Sequence, residues 1–535
     1  MSELASVLIV AIIFLLLIIP GLFMIFIFFV DRFQRKHSVL KNYPLIGRVR
    51  YLLENIGPEL RQYLFNPDHG TQPFSRKDYQ DIVLPAKYKK RLLSFGSKRD
   101  FDEPGYYIKN AMFPKLEEEL AIKQKPIIDS YVYEIKTENL FSRKEKRVPT
   151  KISPYLLTEE HEVVIGPRAK QPFRVKGLIG MSGMSYGGLG DRAITALSIG
   201  LGRAGGTWMN TGEGGLSKYH LKGNADIIMQ IGPGLYGVRT KDGEFSWEEL
   251  KKKAAIEQVK AFEIKLHQGA KTRGGHIEGE KVTPEIAEIR NIEPYKSIDS
   301  PNRFKEFNDI HSMLDFIEQI REVSGKPVGI KIVVGQQEAI MDLARIMKET
   351  GKHPDFISVD GSEGGTGATY QELADSVGLP IKAAIPILNE ALNKYGVRDR
   401  VKIIASGKLF TPDRIAIILS LGADLVQVAR AFMVTVGCIM AQVCHTNQCP
   451  VGVATTDKNL QKALDIDEKS YRVTNYVVSI REGLYNIAAA AGLDSPTLLK
   501  DEHVSYKDLY DVIYENHLMT NGNYTSKNEK ELIAK

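Results

Sequence analysis

Cysteine is nearly missing from this chain: 535 residues hold three, and none stands before position 438. So low and odd a count excludes a disulfide-stapled secreted scaffold and points to a reducing compartment. A basic arm or stripe is missing too. Lysine and arginine number 71 against 65 acidic residues, with the two signs alternating along most of the chain, which excludes a nucleic-acid-binding protein. There is no internal repeat and no low-complexity stretch. No G-x-G-x-x-G turn follows a strand-like run, so a nicotinamide dinucleotide would need a partner subunit. Long uncharged apolar runs are absent with one exception, at positions 4–30.

That run, as a helix, is about 40 Å long, enough to span a bilayer with tilt. Pro20 and Gly21 near its middle are expected to kink it. A cleaved signal would begin with basic residues and end at a small-residue site, whereas this chain begins MSEL. Arg32, Arg35, Lys36 and Lys41 follow directly. The positive-inside rule then makes residues 1–30 a single-pass anchor in the cell membrane, with the lipid bilayer as a partner and the catalytic domain cytoplasmic. Residues 31–150 read as a small basic, aromatic segment packing on the main domain, with helical pieces at 48–63 and 86–95. Residues 151–495 form the main domain, and 496–535 read as a polar C-terminal tail.

The main domain alternates strand-like and helix-like runs. Strands are expected at 174–180, 207–210, 227–231, 262–267, 328–334, 356–359, 401–405 and 425–429. Helices at 191–203, 247–259, 307–323, 338–350 and 412–421 separate most of them. Eight βα units over about 260 residues predict an α/β fold of the (β/α)8 TIM-barrel type rather than a doubly wound sheet. An insertion at 278–305 enlarges the loop after the fourth strand.

A barrel keeps its chemistry at the C-terminal ends of its strands. Here those ends read GMSGMSYGG (180–188), NTGEGG (210–215), IGPG (231–234), HQGAK (267–271), VVGQQ (333–337), DGSEGGTGA (360–368), ASGK (405–408) and ARA (429–431). Glycine lets backbone N–H groups approach an anion or a flat ring. The loops after strands seven and eight are the usual phosphate site, which nominates Ser406, Gly407, Lys408, Ala429 and Arg430. The cysteines follow at once: Cys438, Cys444 and Cys449, spaced C-x5-C-x4-C. Without a fourth, an all-cysteine zinc site or a four-cysteine cluster is excluded. A three-iron cluster with one cysteine per iron fits the count, while a Cys3His zinc site with His445 and three structural thiols stay open. A phosphate site beside an iron–sulfur cluster suggests FMN between cluster and substrate.

NTGEGG, IKLHQGAK, DGSEGGTGA and GCIMAQVCHTNQCPVGVAT, in this order and at these separations, resemble the FMN-binding synthase domain of glutamate synthases over residues 150–490. The anchored arrangement is similar to the short, glutaminase-less members. The resemblance implies a [3Fe-4S] cluster on Cys438, Cys444 and Cys449. It implies Lys331 at the flavin, where a cation steadies negative charge on the reduced ring. Gln268 would lie beside the ring, Ser182 and Ser185 would bond it or close a turn, and Gly364 and Gly365 would line it. Lys271 and Arg290 would hold the two carboxylates of 2-oxoglutarate. Glu213 would line the ammonia route and orient ammonium or relay a proton.

The implied reaction is hydride transfer from reduced FMN to 2-iminoglutarate, formed from 2-oxoglutarate and ammonia. Electrons would come singly from a ferredoxin-like donor through the cluster. The family's longer members carry a cysteine-nucleophile amidotransferase domain and a β-helical domain. Neither is expected here, so ammonia would come from solution or a separate glutaminase. The loop TRGGHIEGEK departs from the family near the presumed substrate site. An FMN and iron–sulfur dehydrogenase of an amino or 2-hydroxy acid, feeding a membrane carrier, and a non-catalytic electron-transfer subunit are the alternatives.

Overall fold

A computed structural model describes residues 3–139 and 142–515. They divide into two compact units, Met1–Asp78 and Tyr79–Lys535.

The first unit is helical. Helix Glu3–Ile13 runs through a π-helical turn, Phe14–Ile18, into helix Ile19–Phe33. The interruption expected at Pro20 is thus a π turn just before it. Proline lacks an N–H and its ring crowds the preceding turn, which a wider turn relieves. Val10–Phe33 is long and apolar enough to cross a membrane. Asp31 in its last turn is buried and accepts hydrogen bonds from the Leu45 backbone N–H at 3.1 Å and from Arg48 at 2.6 and 3.0 Å. Helix Gly47–Leu60 and the π turn Arg61–Phe65 follow, close to the expected helix at 48–63.

The second unit is built on a closed barrel of eight parallel strands in sequence order. These are β1 Ile179–Met181, β2 Trp208–Asn210, β3 Asp226–Ile231, β4 Val259–Lys265, β5 Val328–Ile332, β6 Phe356–Asp360, β7 Lys402–Ser406 and β8 Leu425–Val428. Seven coincide closely with the expected runs; the run at 174–180 instead splits into Phe173–Val175, which pairs antiparallel with Val163–Ile165 outside the barrel, and β1. Each barrel strand is buried along nearly its whole length, covered on both faces, with polar residues such as Asn210, Gln230, Glu263 and Lys331 turned into the barrel interior. Helices α1 Asp191–Ala204, α2 Trp247–Ala254, α3 Ile310–Ser324, α4 Gln337–Thr350, α5 Ile381–Lys394 and α6 Pro412–Ser420 surround it. Helices α3 and α4 stop at Gly325 and Gly351, whose φ of 71° and 70° is the left-handed cap that glycine takes without strain. Gly180 is forced by packing: a Cβ there would lie 2.1 Å from the indole of Trp208, which fills the barrel interior.

After β8 come a short helix, α7 Arg430–Thr435, the cysteine loop, and the 25-residue helix α8 Ile466–Ala490, which packs on α1 and α6. The helix expected at 86–95 instead ends at Tyr88, because Lys89 takes a left-handed φ of 50°. Two features of the flanking regions lie outside the expectation. Residues Ile128–Glu138 and Arg143–Ile152 pair as an antiparallel ribbon, and Val504–Lys507, read as tail, pairs with Gly105–Ile108 and with Ile513–Glu515. Residues 516–535 lie outside the described part.

Candidate active site

The charged residues of the strand-end loops meet at the C-terminal mouth of the barrel. Glu213, on the loop after β2, is bonded by the Lys271 ammonium at 2.9 Å and by the Lys265 ammonium at 3.1 Å. Lys271 comes from the HQGAK loop and Lys265 from the last position of β4. Lys265 also donates to the Gln268 side-chain oxygen at 2.8 Å. Burial alone would raise the Glu213 pKa, but the two ammonium groups reverse that and hold its carboxyl well below the usual carboxylate range. Burial brings Lys265 down to about 8; Glu213 opposes the fall, while Lys271 and Lys331 deepen it.

Arg290 closes this cluster from the insertion after β4, at the end of helix Pro284–Arg290. It is 1% exposed, not a solvated helix arginine. One guanidinium nitrogen donates to the Tyr186 carbonyl at 3.0 Å, while Nε has no hydrogen-bond partner among the described residues. Burial lowers its pKa, with Tyr236 and Glu213 opposing. A side chain at Gly214 would strike both Ser185 and Arg290, so the NTGEGG loop must be bare there for the arginine to reach the mouth. Ser185 itself closes a turn, its carbonyl accepting from Gly188 and Leu189.

A second group lies deeper, across β1, β5 and β6. Lys331 is buried, 3.4 Å from the Ser182 hydroxyl and 3.5 Å from the Asp360 carboxylate. Asp360 also accepts the Gly269 N–H at 2.8 Å, and a Cβ on Gly269 would sit 2.1 Å from the Gly361 carbonyl. The HQGAK and DGSEGG backbones therefore touch, and glycine alone permits it. Gln268 completes the contact by donating to the Gly365 carbonyl at 2.6 Å. In the barrel interior below, Glu263 accepts from Asn210 at 2.8 Å, Gln230 at 2.6 Å and Ser358 at 2.5 Å. Gln427 pairs in register with Gly180, which faces the interior, and neither atom of its amide has a partner among the described residues.

A third group forms where β7 and β8 end. Arg430 donates to the Glu363 carbonyl and packs on Gly365. The Glu363 carboxylate accepts the Ile381 N–H at the start of α5 and lies beside Gly407. Burial raises its pKa, with Lys408 opposing. Lys408 takes a left-handed φ of 50° after Ser406 and Gly407, and Ala429 caps α7.

The three cysteines share one loop. Cys449 is buried and the other two are half-buried, while His445 is exposed. Burial pushes the Cys438 thiol up to about 11, with Cys444 and Cys449 adding to the rise. Lys281, from the insertion after β4, donates to the Cys444 carbonyl at 2.8 Å and to that of Ala454 at 3.3 Å, joining the thiol loop to the element that carries Arg290. Among the described residues, no three His, Cys, Asp or Glu side chains converge tightly enough to hold one metal ion.

The structure thus brings Glu213, Lys271, Arg290 and Gln268 to one mouth, Ser182 and Lys331 to its floor, and Gly365, Gly407, Lys408 and Arg430 to one side. Lys265, Asp360, Glu363, Glu263 and Lys281 were not anticipated. Lys265 had a signal: in VKAFEIK it alternates with Glu263, which puts it on the same face of the strand as that carboxylate.

Residues 109–494 match the family described as a conserved region in glutamate synthase. The chain is 61% identical over 490 residues to the glutamate synthase large subunit-like protein YerD of Bacillus subtilis (strain 168), covering 91% of this chain and 93% of that one. It is 33% identical over 315 residues to an archaeal-type glutamate synthase [NADPH] of Thermotoga neapolitana, 58% of this chain and 59% of the relative. Over 319 residues it is 31% identical to the glutamate synthase [NADPH] large chain of Bacillus subtilis, 58% of this chain but 20% of that one. With a match of that extent laid over the barrel, its charged mouth and its cysteine loop, the chain belongs to the glutamate synthase family.

Proposed function

We propose that the protein is a glutamate synthase-like oxidoreductase that makes an amino acid from a 2-oxo dicarboxylate and ammonia. The observation that carries this is the mouth cluster: three buried cations, Lys265, Lys271 and Arg290, stand against one half-buried carboxylate, Glu213. That excess of positive charge suits a ligand with two carboxylates, for which 2-oxoglutarate is the proposed substrate. Arg290 has an unused Nε to offer, and Lys271 reaches substrate by giving up its bond to Glu213. Glu213 is held too acidic to keep a proton while both lysines face it, so its first task is to orient ammonium. Once substrate draws Lys271 away, one stabilising charge is gone and Glu213 becomes a better base, able to take a proton from ammonium as nitrogen attacks the carbonyl. Lys265, whose pKa burial brings down to about 8, supplies or holds the proton that leaves with water as 2-iminoglutarate forms.

The barrel fits FMN on its own residues. The unpartnered Gln427 amide and buried Lys331 face the interior, and bare glycines at 364, 365 and 407 let Asp360, Arg430 and Ile381 pack closely around that site. Lys408 and Arg430 set two cations against Glu363 where a phosphate would lie, with Ser406 and Ala429 alongside. The thiol loop fits a [3Fe-4S] cluster on Cys438, Cys444 and Cys449. Cys438, Cys444 and Cys449 would hold one iron each, while the exposed His445 offers no buried fourth ligand for a zinc. When bound, FMN supplies the hydride for the imine carbon and the cluster supplies electrons singly from a ferredoxin-like donor. Ammonia is proposed to come from solution or a separate glutaminase. Val10–Phe33 is proposed as a single-pass anchor in the cell membrane, with the barrel in the cytoplasm.

The test is an anaerobic absorption spectrum with flavin, iron and sulfide quantified, then an assay with 2-oxoglutarate, ammonia and a one-electron donor. FMN, about three irons per chain and ammonia-dependent glutamate formation are expected. Cys444→Ala should lose the iron and keep the flavin. Flavin without iron would make the thiols structural, and turnover that ignores ammonia would reject the synthase chemistry.

A further inference from the structure

We propose that helix 47–65 lies in the headgroup plane of the membrane, on the leaflet where the span ends; the proposal rests on reading Val10–Phe33 as that span. Helix Gly47–Leu60 continues without a break into the π turn Arg61–Phe65, giving 19 residues and about 28 Å. At 3.6 residues per turn, Ile46, Val49, Leu52, Leu53, Ile56 and Leu64 fall within one arc of about 120°. All six are exposed, Ile46 by 77% and Leu64 by 68%. Arg48, Arg50, Glu54, Asn55 and Arg61 occupy the rest of the circumference. Pro58 also falls there, so its missing N–H and bulk lie away from the stripe.

An apolar stripe of this length needs an occupant, and three observations within the same unit favour lipid. The first is attachment. Asp31, in the last turn of the span, holds Leu45 and Arg48, so the helix begins within one hydrogen-bonded contact of the point where the span ends. The second is charge. Positions 31–65 carry seven Lys or Arg against three Asp or Glu, matching an anionic leaflet. The third is the Asp31–Arg48 pair itself. A carboxylate at the end of a membrane span is tolerated when a cation neutralises it, and here the amphipathic helix supplies that cation. The pair fixes the angle at which the chain leaves the bilayer.

The experiment places single tryptophans in the full chain, reconstituted in phosphatidylcholine–phosphatidylglycerol vesicles whose acyl chains are brominated near the headgroup or near the bilayer centre. Trp208 and Trp247, in the other unit, give a constant background to subtract. Leu53→Trp should be quenched mainly by shallow bromines, Asn55→Trp by neither, and Phe23→Trp mainly by deep ones. Each replaces a side chain exposed in the structure, so folding is not at stake. If Phe23→Trp is quenched while Leu53→Trp behaves like Asn55→Trp, the span stands and the interfacial helix is rejected. A blue-shifted Leu53→Trp that neither lipid quenches would mean that protein covers the stripe, which also overturns the proposal. An unquenched Phe23→Trp would remove the span and the helix's place with it.

Discussion

Two carboxylates within the same barrel, Glu263 buried and Glu213 half-buried, are held in opposite ways. Glu263 accepts from three neutral groups, Asn210, Gln230 and Ser358, whereas Glu213 faces two ammonium groups, Lys265 and Lys271. Neutral donors locked in strands fix a geometry. Flexible ammonium groups at the end of long stems can change partner, and their charge can be shared with an incoming anion. The barrel floor is therefore built to stay as it is, and the mouth is built to exchange its ion pairs.

If that contrast is right, a neutral amide breaks function at one carboxylate and leaves the other undisturbed. The largest effect is expected at the mouth. Glu213→Gln should lower ammonia-dependent turnover by about 10²–10⁴-fold, the usual range for a group handling a proton in the reaction. Its melting temperature should fall as well, because Lys265 and Lys271 lose the carboxylate that faces them. Steady-state kinetics with varied ammonium, alongside a thermal melt, check both halves, and a large melting shift with little change in turnover would reverse the assignment. Lys271→Ala comes next. Losing one charge-assisted hydrogen bond of about 1.5–3 kcal/mol raises KM for the dicarboxylate about 10–150-fold. Kinetics unchanged in 2-oxoglutarate would remove Lys271 from the substrate site.

How much of this was legible in the sequence depended on which physical signal each part leaves. The barrel strands were largely readable because burial on both faces enriches them in apolar residues, as in DIIMQI at 226–231 and KIIAS at 402–406, although the first was merged with Phe173–Val175. Loop glycines pointed to the mouth because close approach demands them, as Gly269 against Gly361 shows. What stayed hidden were the pairings. Nothing in the spacing of Lys265, 52 positions beyond Glu213, says that the two touch; only closure of the barrel brings β2 and β4 loops together. Lys281 was equally silent, since its partners are backbone carbonyls of the cysteine loop. Helix boundaries failed where one residue's backbone decided them, as Lys89 does. The ribbon at 128–152 was missed although DSYVYEIKT alternates in strand fashion, because the surrounding charge looked irregular.

At Glu263 the expectation is near silence. Glutamine there keeps an oxygen to accept from Asn210 and Gln230, and its amide nitrogen can donate to Ser358, whose hydroxyl can turn to accept. Glu263→Gln should cost under about 1 kcal/mol, a melting shift of no more than about 2–4 °C for a domain of this size, with cofactor content unchanged. A loss of several kcal/mol would mean that the floor, too, depends on charge.

The smallest effect is one of pH, and it ties the two lysines to their carboxylate. Lys265 titrates near 8 in the folded protein, lowered mainly by burial, against about 10.4 in an unfolded chain. Below pH 8 both states carry the proton and the cost of burying that charge is fully present. Between the two values the unfolded chain holds more protons, so stability rises with pH across that window. Activity should move the other way, because a deprotonated Lys265 neither attracts a carboxylate nor supplies a proton. The kcat/KM profile should therefore show a basic limb near pH 8. Glu213 is the charge that props this pKa up, so residual activity in Glu213→Gln should show its limb at lower pH, and Lys265→Met should show none. Rates at pH 7 change little, since about nine molecules in ten still hold the proton there. A limb that stays fixed when Glu213 is neutralised would mean that Lys265 is not the group being titrated.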